Sequence, residues 1–205
     1  IANALADLAG RPLTELTIIH IPTAMNTDGG DKSWVIDDLL NLKNRNFKSV
    51  DILDIAALPK EVWQERLKAA DIISFGGGNE QYLAKVFQEL GMKEFLLSVL
   101  ESKVYMGISA GSMVAGEYLP RVLLHVIYPE EDFGGTLEKP IELYNFSFIP
   151  HLNSPWFSNA RKEVLDSLQS EFTSTVYTTD DMTAISIVDT TVKIVGDGEY
   201  YVYKK

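Results

Sequence analysis

One serine lies in a sequence pattern that can activate it as a nucleophile. Residues 107–111 read Gly-Ile-Ser-Ala-Gly, with Ser109 at the centre, after the apolar run VYMGI and before a stretch of helical pattern. A Gly-x-Ser-x-Gly sequence between a strand and a helix is typical of a nucleophile elbow, a strained turn that projects the serine Oγ from the sheet. Small neighbours permit the turn and the approach of substrate. The alternative is an ordinary glycine-rich turn in which Ser109 caps the helix.

A second glycine-rich loop has the composition of an oxyanion-binding turn. Gly76, Gly77 and Gly78 follow a buried strand and precede Asn79 and a helix. Three glycines leave backbone N–H groups uncovered, so the loop can supply one oxyanion donor while the N–H of Ala110 supplies another. A phosphate cradle and a simple tight turn remain alternatives. The phosphate cradle is disfavoured because neither a G-x-G-x-x-G pattern nor a G-K-[ST] ending is present.

The chain has three histidines that could serve as the general base. His20 and His125 lie among large apolar residues, in ELTIIHIP and RVLLHVIYP, which favours packing roles. His151 follows a strand and the backbone-fixing Pro150 in FIPHLN. Catalytic groups gather at the carboxyl ends of strands in α/β sheets, so His151 is the predicted base. The alternative is a hydrogen-bonded surface histidine.

A serine–histidine pair needs an acid that fixes the imidazole tautomer and stabilises the imidazolium. Acidic residues that follow His151 offer several choices, and the residues alone do not decide among them. Glu163 and Asp166 fall in a helical pattern and suit a solvated helix face. Asp180 and Asp181 are adjacent in a turn, where they can reach inward or simply shape the turn. The candidates are Glu163, Asp166, Glu171, Asp180, Asp181 and Asp189.

Short apolar runs that alternate with helical patterns predict an α/β fold, with a mostly parallel sheet covered by helices on both faces. In the last quarter four short runs, separated by turn residues, predict an antiparallel meander on the sheet edge. No linker or internal repeat is visible, so residues 1–205 are predicted to form a single domain. The chain does not begin with Met, and an element preceding it is expected to be missing. The predicted strands are Glu15–Ile21, Ser49–Ile55, Ala70–Phe75, Val104–Ile108, Thr175–Tyr177, Ala184–Val188, Val192–Val195 and Tyr200–Tyr203.

The composition limits the partners that the chain can bind. The formal net charge of -11 repels nucleic acid and anionic membranes, and no apolar run approaches the length of a membrane span. The absence of Cys excludes a thiol nucleophile and fits a reducing compartment, so a cytoplasmic location is expected. No cofactor or metal is predicted. A small peptide is the expected partner of a protein that is a monomer or a homodimer.

The ordered set GGGN, GISAG and IPHLN, with IPTA after the first strand, resembles the peptidase E family of the class I glutamine amidotransferase-like fold. The order serine, histidine, late acid differs from that of ordinary α/β-hydrolases. The resemblance implies a serine peptidase without a metal, with Ser109 as nucleophile and His151 as base. Asp181 matches the late acidic position.

The resemblance also implies an oxyanion hole and a substrate class. Gly77 or Gly78, together with Ala110, would form the oxyanion hole. Family members typically remove an N-terminal aspartate from dipeptides, and the predicted substrate-binding residues are Asn79 and Arg161. Because the chain is acidic, an acidic substrate needs a local cation, and Arg161 is a candidate bidentate carboxylate ligand. The alternative for Arg161 is a solvent-facing arginine on a helix. The segment LLHVIYPEEDFGG departs from the family pattern, so two alternatives stay open. They are a non-catalytic ligand-binding relative and a hydrolase of aspartate-derived peptides that resembles cyanophycinases.

Overall fold

The computed structural model describes residues 1–131 and 133–205. The chain divides into two compact units, Ala2–Ser112 and Met113–Lys205. Each is described by itself. The helices are α1 Ala2–Ala9, α2 Ser33–Asn44, α3 Lys60–Ala69, α4 Glu80–Leu90, α5 Met92–Val99, α6 Ala110–Met113, α7 Arg121–Ile127 and α8 Lys162–Ser167. The strands are β1 Thr17–Ile21, β2 Ser49–Ile52, β3 Ile72–Phe75, β4 Val104–Gly107, β5 Ser147–Ile149, β6 Val176–Thr179, β7 Thr183–Val188, β8 Thr191–Gly196 and β9 Tyr200–Tyr203.

The first unit contains a four-stranded parallel sheet in the order β2-β1-β3-β4, flanked by helices. Strands β1 and β3 occupy the centre and are almost completely buried, which explains why they read as continuous apolar runs. All four strands run in the same direction, so their carboxyl ends share one edge of the sheet. The glycine loop follows β3 at this edge, and Ser109 follows β4. The α/β class with a parallel sheet is therefore confirmed.

Local sequence signals account for the helix that follows the glycine loop. Asn79 caps α4 by accepting a hydrogen bond from the Tyr82 N–H at 2.8 Å. Gly91 ends α4 in the left-handed conformation, at φ 65°, where a residue with a side chain is disfavoured. Between these ends, the apolar face of α4 buries Phe87 against Phe75 of β3, with ring centroids 4.8 Å apart. The glycine loop is thus held between a buried strand and a well-capped helix.

The second unit contains two small sheets. Strand β6 pairs in parallel with β5 and antiparallel with β9, while β7 and β8 form a separate antiparallel hairpin. The antiparallel edge strands are therefore confirmed, but the continuous four-strand meander predicted for this region is wrong. A core of buried side chains supports β5 and β6. It includes Leu123, Leu124, Ile127, Ile149, Leu165 and Val176.

The predicted helix after Ser109 is longer than the observed one. The sequence favours a helix from Ala110 to about Glu117, whereas α6 ends at Met113. The carbonyls of Val114 and Ala115 accept hydrogen bonds from residues 141 and 143 instead of continuing the helix. Tertiary partners, which the local pattern does not encode, therefore end α6 early.

Several other boundaries also shift. The predicted strand over 49–55 ends at Ile52. The sequence also predicts a helix near 156–169, whereas the observed helix is confined to Lys162–Ser167. Helix α7, Arg121–Ile127, was not predicted, although Pro120 precedes its first residue. Within the described residues, no helix has both the length and the hydrophobicity needed to cross a membrane. The single-domain organisation remains a prediction.

Candidate active site

Ser109 occupies a strained turn between β4 and α6. Its φ angle is +50°, in the left-handed region that residues with a side chain seldom adopt. Three backbone hydrogen bonds hold the turn: Gly111 N–H donates to the carbonyls of Gly76 and Ile108, and Ser112 N–H donates to the Ser109 carbonyl at 2.8 Å. The strain costs about 1 kcal/mol or more, which the surrounding hydrogen bonds must offset. This geometry is the one expected of a nucleophile elbow.

The two glycines that flank Ser109 are required by close packing. A Cβ atom at Gly107 would lie 2.6 Å from the Gly111 carbonyl oxygen. A Cβ at Gly111 would overlap the backbone carbonyl of Phe75. The Tyr105 hydroxyl also donates a hydrogen bond of 2.6 Å to the Gly111 carbonyl. The Gly-x-Ser-x-Gly spacing thus lets the turn pack directly on the neighbouring strand β3.

The glycine loop lies against the serine. The position that a Cβ at Gly77 would occupy is 3.2 Å from the Ser109 Cβ and 3.7 Å from its Oγ. Gly78 has φ +125°, and a Cβ there would collide with the backbone of Ala24 and Met25. Loop hydrogen bonds engage the N–H groups of Gly76 and Asn79. None of the bonds described for the loop and the elbow uses the N–H of Gly77, Gly78 or Ala110, the three predicted oxyanion donors.

His151 is hydrogen-bonded to Asp181 in the second unit. The Nδ1···Oδ1 distance is 2.7 Å. His151 also has a positive φ, +65°, and its ring stacks on the Phe157 ring with centroids 4.5 Å apart. The acid and the aromatic ring together fix the orientation of the imidazole. With Nδ1 engaged by a carboxylate, Nε2 is the nitrogen positioned to exchange a proton with a nucleophile.

The neighbouring acid, Asp180, has a different role. Its carboxylate accepts hydrogen bonds from the N–H groups of Met182, at 3.0 Å, and Glu199, at 2.7 Å. Burial acts to raise the pKa of Asp180, but the N–H donors of Glu199 and Met182 and the side chain of Thr183 outweigh it, so this pKa lies below its usual value. Asp180 therefore shapes the turn, and Asp181 projects from that turn to the histidine.

A chain of hydrogen bonds links the histidine loop to this turn. Asn153, two residues after His151, donates from Nδ2 to the Glu199 carboxylate at 2.8 Å. The backbone of Glu199 bonds to Asp180 in both directions. Leu152 N–H donates to the carbonyl of Thr179, the residue before Asp180. The His151 loop and the Asp181 turn are therefore tied together at several points besides the His–Asp bond itself.

The comparisons with known proteins identify the family. The model of peptidase family S51 matches residues 1–195 of this chain. The chain belongs to peptidase family S51. This assignment confirms the predicted resemblance to peptidase E, and because the family is serine-type, the chain is a serine-type peptidase. A comparison with curated proteins gives no significant match.

Two solved structures share the fold of this S51 peptidase. A candidate peptidase E from Listeria monocytogenes EGD-e superposes with a TM-score of 0.77 at 22% sequence identity, covering 97% of this chain and 94% of the other. A peptidase from an acI-B1 actinobacterium superposes with a TM-score of 0.68 at 21% identity, covering 99% of this chain and 84% of the other. At these identities the two structures support the fold.

The two predicted substrate-binding residues of the S51 peptidase hold local structure. Asn79 caps α4 through its side-chain oxygen. Arg161 is half-buried, and its guanidinium donates to three backbone carbonyls, those of Ser154, Phe157 and Ala160, at 2.9–3.0 Å. Arg161 thus braces the loop that carries Phe157, the partner of the His151 ring. A role in substrate binding remains a prediction for both residues.

Of the other two histidines, His20 has the buried setting that its sequence context suggests, whereas His125 does not. His20 is buried in β1, and its Nδ1 lies 3.1 Å from the Ser74 Oγ. Burial lowers the pKa of His20 to about 4. His125 is exposed on α7 and meets Phe133 edge to face.

Sequence reasoning missed two side chains near the predicted site. Trp34 lies beside Gly77, and Phe157 stacks on His151. Trp34 and Gly77 are far apart in the sequence, so no local pattern indicates their contact.

Proposed function

We propose that this S51 peptidase is a serine exopeptidase that removes an N-terminal aspartate from dipeptides in the cytoplasm. The observation that carries the proposal is the strained Ser109, held at φ +50° with Gly77 packed against it. Strain of this kind persists where a function requires it. The bond between His151 and Asp181 supports the same reaction, because it orients a base for a serine nucleophile.

The proposed reaction begins when the Ser109 Oγ attacks the scissile carbonyl carbon and His151 Nε2 accepts its proton. The carbonyl oxygen becomes an oxyanion, which the N–H groups of Ala110 and of Gly77 or Gly78 stabilise. His151 then gives the proton to the leaving amine, and the C–N bond breaks. Water hydrolyses the acyl-enzyme, with His151 again as base. Asp181 stabilises the imidazolium formed in each half of the reaction.

The cytoplasmic location and the aspartyl specificity rest on different grounds. The absence of Cys fits a reducing compartment. The preference for an N-terminal aspartate is what the resemblance to peptidase E implies. An acidic substrate approaches a chain of net charge -11 unfavourably, so this specificity requires a local cation.

Fluorophosphonate labelling with peptide mapping tests the nucleophile. The wild-type protein should be labelled at Ser109 and should hydrolyse a panel of Asp-Xaa dipeptides. Ser109→Ala should lose the label and lower kcat by about 10³-fold or more, because the covalent step is removed. Ser102→Ala, a substitution in a surface turn, is the matched control and should behave as wild type.

Two outcomes would contradict the proposal. A folded wild-type protein that takes no label and cleaves no peptide would indicate a non-catalytic relative. A labelled protein that prefers β-linked aspartyl peptides of the cyanophycin type to Asp-Xaa dipeptides would keep the serine mechanism and replace the substrate.

A further inference from the structure

A large aromatic side chain lies beside the nucleophile without being part of the core. The position of a Cβ at Gly77 is 3.4 Å from the Trp34 ring and 3.2 Å from the Ser109 Cβ, so the ring and the serine flank the same point. Trp34 is the second residue of α2 and is 37% exposed. An exposed indole next to a reactive serine offers apolar surface to whatever the serine attacks.

A cation accompanies this aromatic ring. The Lys32 Nζ lies 6.0 Å from the Trp34 ring centroid, at the outer limit of a cation–π contact. Lys32 is half-buried, and its Nζ donates a hydrogen bond of 2.8 Å to the carbonyl of Asp28. An ammonium has three N–H donors, and this bond uses one of them. Burial raises the pKa of the Asp28 carboxyl, and the nearby charge of Lys32 opposes that rise.

The guanidinium of Arg161 holds its own loop in place. Arg161 donates three hydrogen bonds to backbone carbonyls of residues 154–160. Lys32, by contrast, belongs to the same compact unit as Ser109 and is connected to it through Trp34 and Gly77. The local cation that an acidic substrate requires is therefore better supplied by Lys32.

We propose that Trp34 and Lys32 form the substrate-binding wall beside Ser109, with Trp34 contacting the apolar part of the peptide and Lys32 binding a substrate carboxylate. The inference rests on the proposed peptidase function and adds the residues that select its substrate. A dipeptide with N-terminal aspartate carries that carboxylate either in the aspartyl side chain or at the C-terminus. The experiment distinguishes the two sources.

Three substrates separate these possibilities: Asp-Leu, Asn-Leu, which lacks the side-chain carboxylate, and Asp-Leu-amide, which lacks the C-terminal one. Lys32→Met should lower kcat/KM for Asp-Leu by at least about tenfold, because a charged hydrogen bond is lost. For the substrate that lacks the carboxylate bound by Lys32, kcat/KM should change by less than about twofold, since that substrate never formed the bond. Lys32→Arg should retain most of the activity on Asp-Leu because it keeps the charge.

The Trp34 variants test the apolar half of the wall. Trp34→Ala should raise KM for all three peptides by about tenfold, and Trp34→Phe should restore most of the loss, because an aromatic ring is retained.

The matched control for Lys32→Met is Lys43→Met, which removes an exposed positive charge from the last turn of α2. This control should leave kcat/KM unchanged for every substrate.

Fluorophosphonate labelling distinguishes failure of the proposed function from failure of the Lys32 and Trp34 assignments. Each variant should be labelled at Ser109 at the wild-type rate, because the probe carries no carboxylate. If the wild-type protein is not labelled, the proposed function fails. If the wild-type protein is active but Lys32→Met changes kcat/KM equally for all three substrates, or for none of them, the assignment of Lys32 is overturned. Unchanged KM in Trp34→Ala would overturn the assignment of Trp34.

Discussion

At the scale of single residues, two predicted catalytic residues have a strained backbone. Six residues with side chains have positive φ among those that the structure describes, and they include Ser109, His151 and Asn153. A left-handed residue with a side chain is unfavourable and persists only when its surroundings require it. At Ser109 and His151 those surroundings are the Phe75 and Gly76 backbone and the Asp181 carboxylate, respectively. The strain thus coincides with the residues proposed to transfer the proton.

Ser109 and His151 could be proposed as nucleophile and base from the sequence because each follows a recognisable strand. The acid could not, since Asp180 and Asp181 are adjacent and both suit a turn. Their roles depend on Glu199, which lies far along the chain and donates its N–H to Asp180. The carbonyls that engage the Arg161 guanidinium were likewise not predictable, because they come together only in the folded loop.

The first prediction concerns the two adjacent acids, Asp180 and Asp181. Asp181→Asn should lower kcat by about 10²–10⁴-fold with little change in the free energy of unfolding, because the amide cannot stabilise the imidazolium. Asp180→Asn should lower the free energy of unfolding by about 1–2 kcal/mol while kcat stays within a few-fold of wild type, because it weakens two hydrogen bonds of the turn. Steady-state kinetics and urea denaturation measure the two quantities.

The pair of variants serves as its own control, since the same chemical change is made at neighbouring positions. Equal losses of kcat in the two variants would mean that the turn as a whole, and not the Asp181 carboxylate, supports the reaction. A larger kinetic loss in Asp180→Asn would reverse the assignment.

At the scale of elements, the helices and strands of the first unit follow from sequence pattern because their signals are local. Buried parallel strands read as apolar runs, and Pro59, Asn79 and Gly91 mark helix ends. The prediction of a C-terminal meander was wrong because strand pairing joins segments that are far apart in the sequence. The run at 176–179 pairs with Ser147–Ile149 and with Tyr200–Tyr203, so the intervening β7–β8 hairpin lies outside that sheet.

The central strand β1 carries a buried histidine, which predicts a pH-dependent stability. The folded-state pKa of His20, about 4, lies below its ordinary value of 6.5, so the unfolded chain binds a proton that the folded chain excludes. The contribution of His20 to stability is therefore present above pH 6.5 and is lost as the pH falls from 6.5 towards 4. Between pH 7 and pH 5 the free energy of unfolding should fall by about 2 kcal/mol from this group alone.

Urea denaturation at the two pH values measures the loss, and two variants isolate its source. His20→Gln should remove most of the difference between pH 7 and pH 5, whereas His125→Gln, an exposed histidine, should leave it unchanged. If His20→Gln does not fold, the imidazole signal of His20 in the wild-type NMR spectrum should remain that of the neutral ring down to about pH 4.5. A His20 ring that titrates near pH 6.5 would refute the prediction.

At the scale of the whole molecule, the predicted machinery is distributed along the chain. Ser109 and the glycine loop belong to the unit Ala2–Ser112, while His151 and Asp181 belong to Met113–Lys205. The proposed reaction requires these two sets to act on one substrate. The sequence predicts a single domain because it contains no linker, and the boundary after Ser112 falls within helix α6. The cooperativity of unfolding measures whether the chain forms one domain.

Differential scanning calorimetry gives the last prediction. If the 205 residues unfold as one domain, a single transition is expected, with a calorimetric enthalpy of about 140 kcal/mol near 60 °C that equals the van't Hoff enthalpy. Two independent units of 111 and 94 residues would instead give van't Hoff enthalpies of only about half that calorimetric total. Ser109→Ala should unfold in the same single transition, because the variant keeps the backbone of the turn. Two resolved transitions would reject the single-domain prediction, and such a result in the wild-type protein would mean that the unit containing Ser109 and the unit containing His151 and Asp181 can unfold separately.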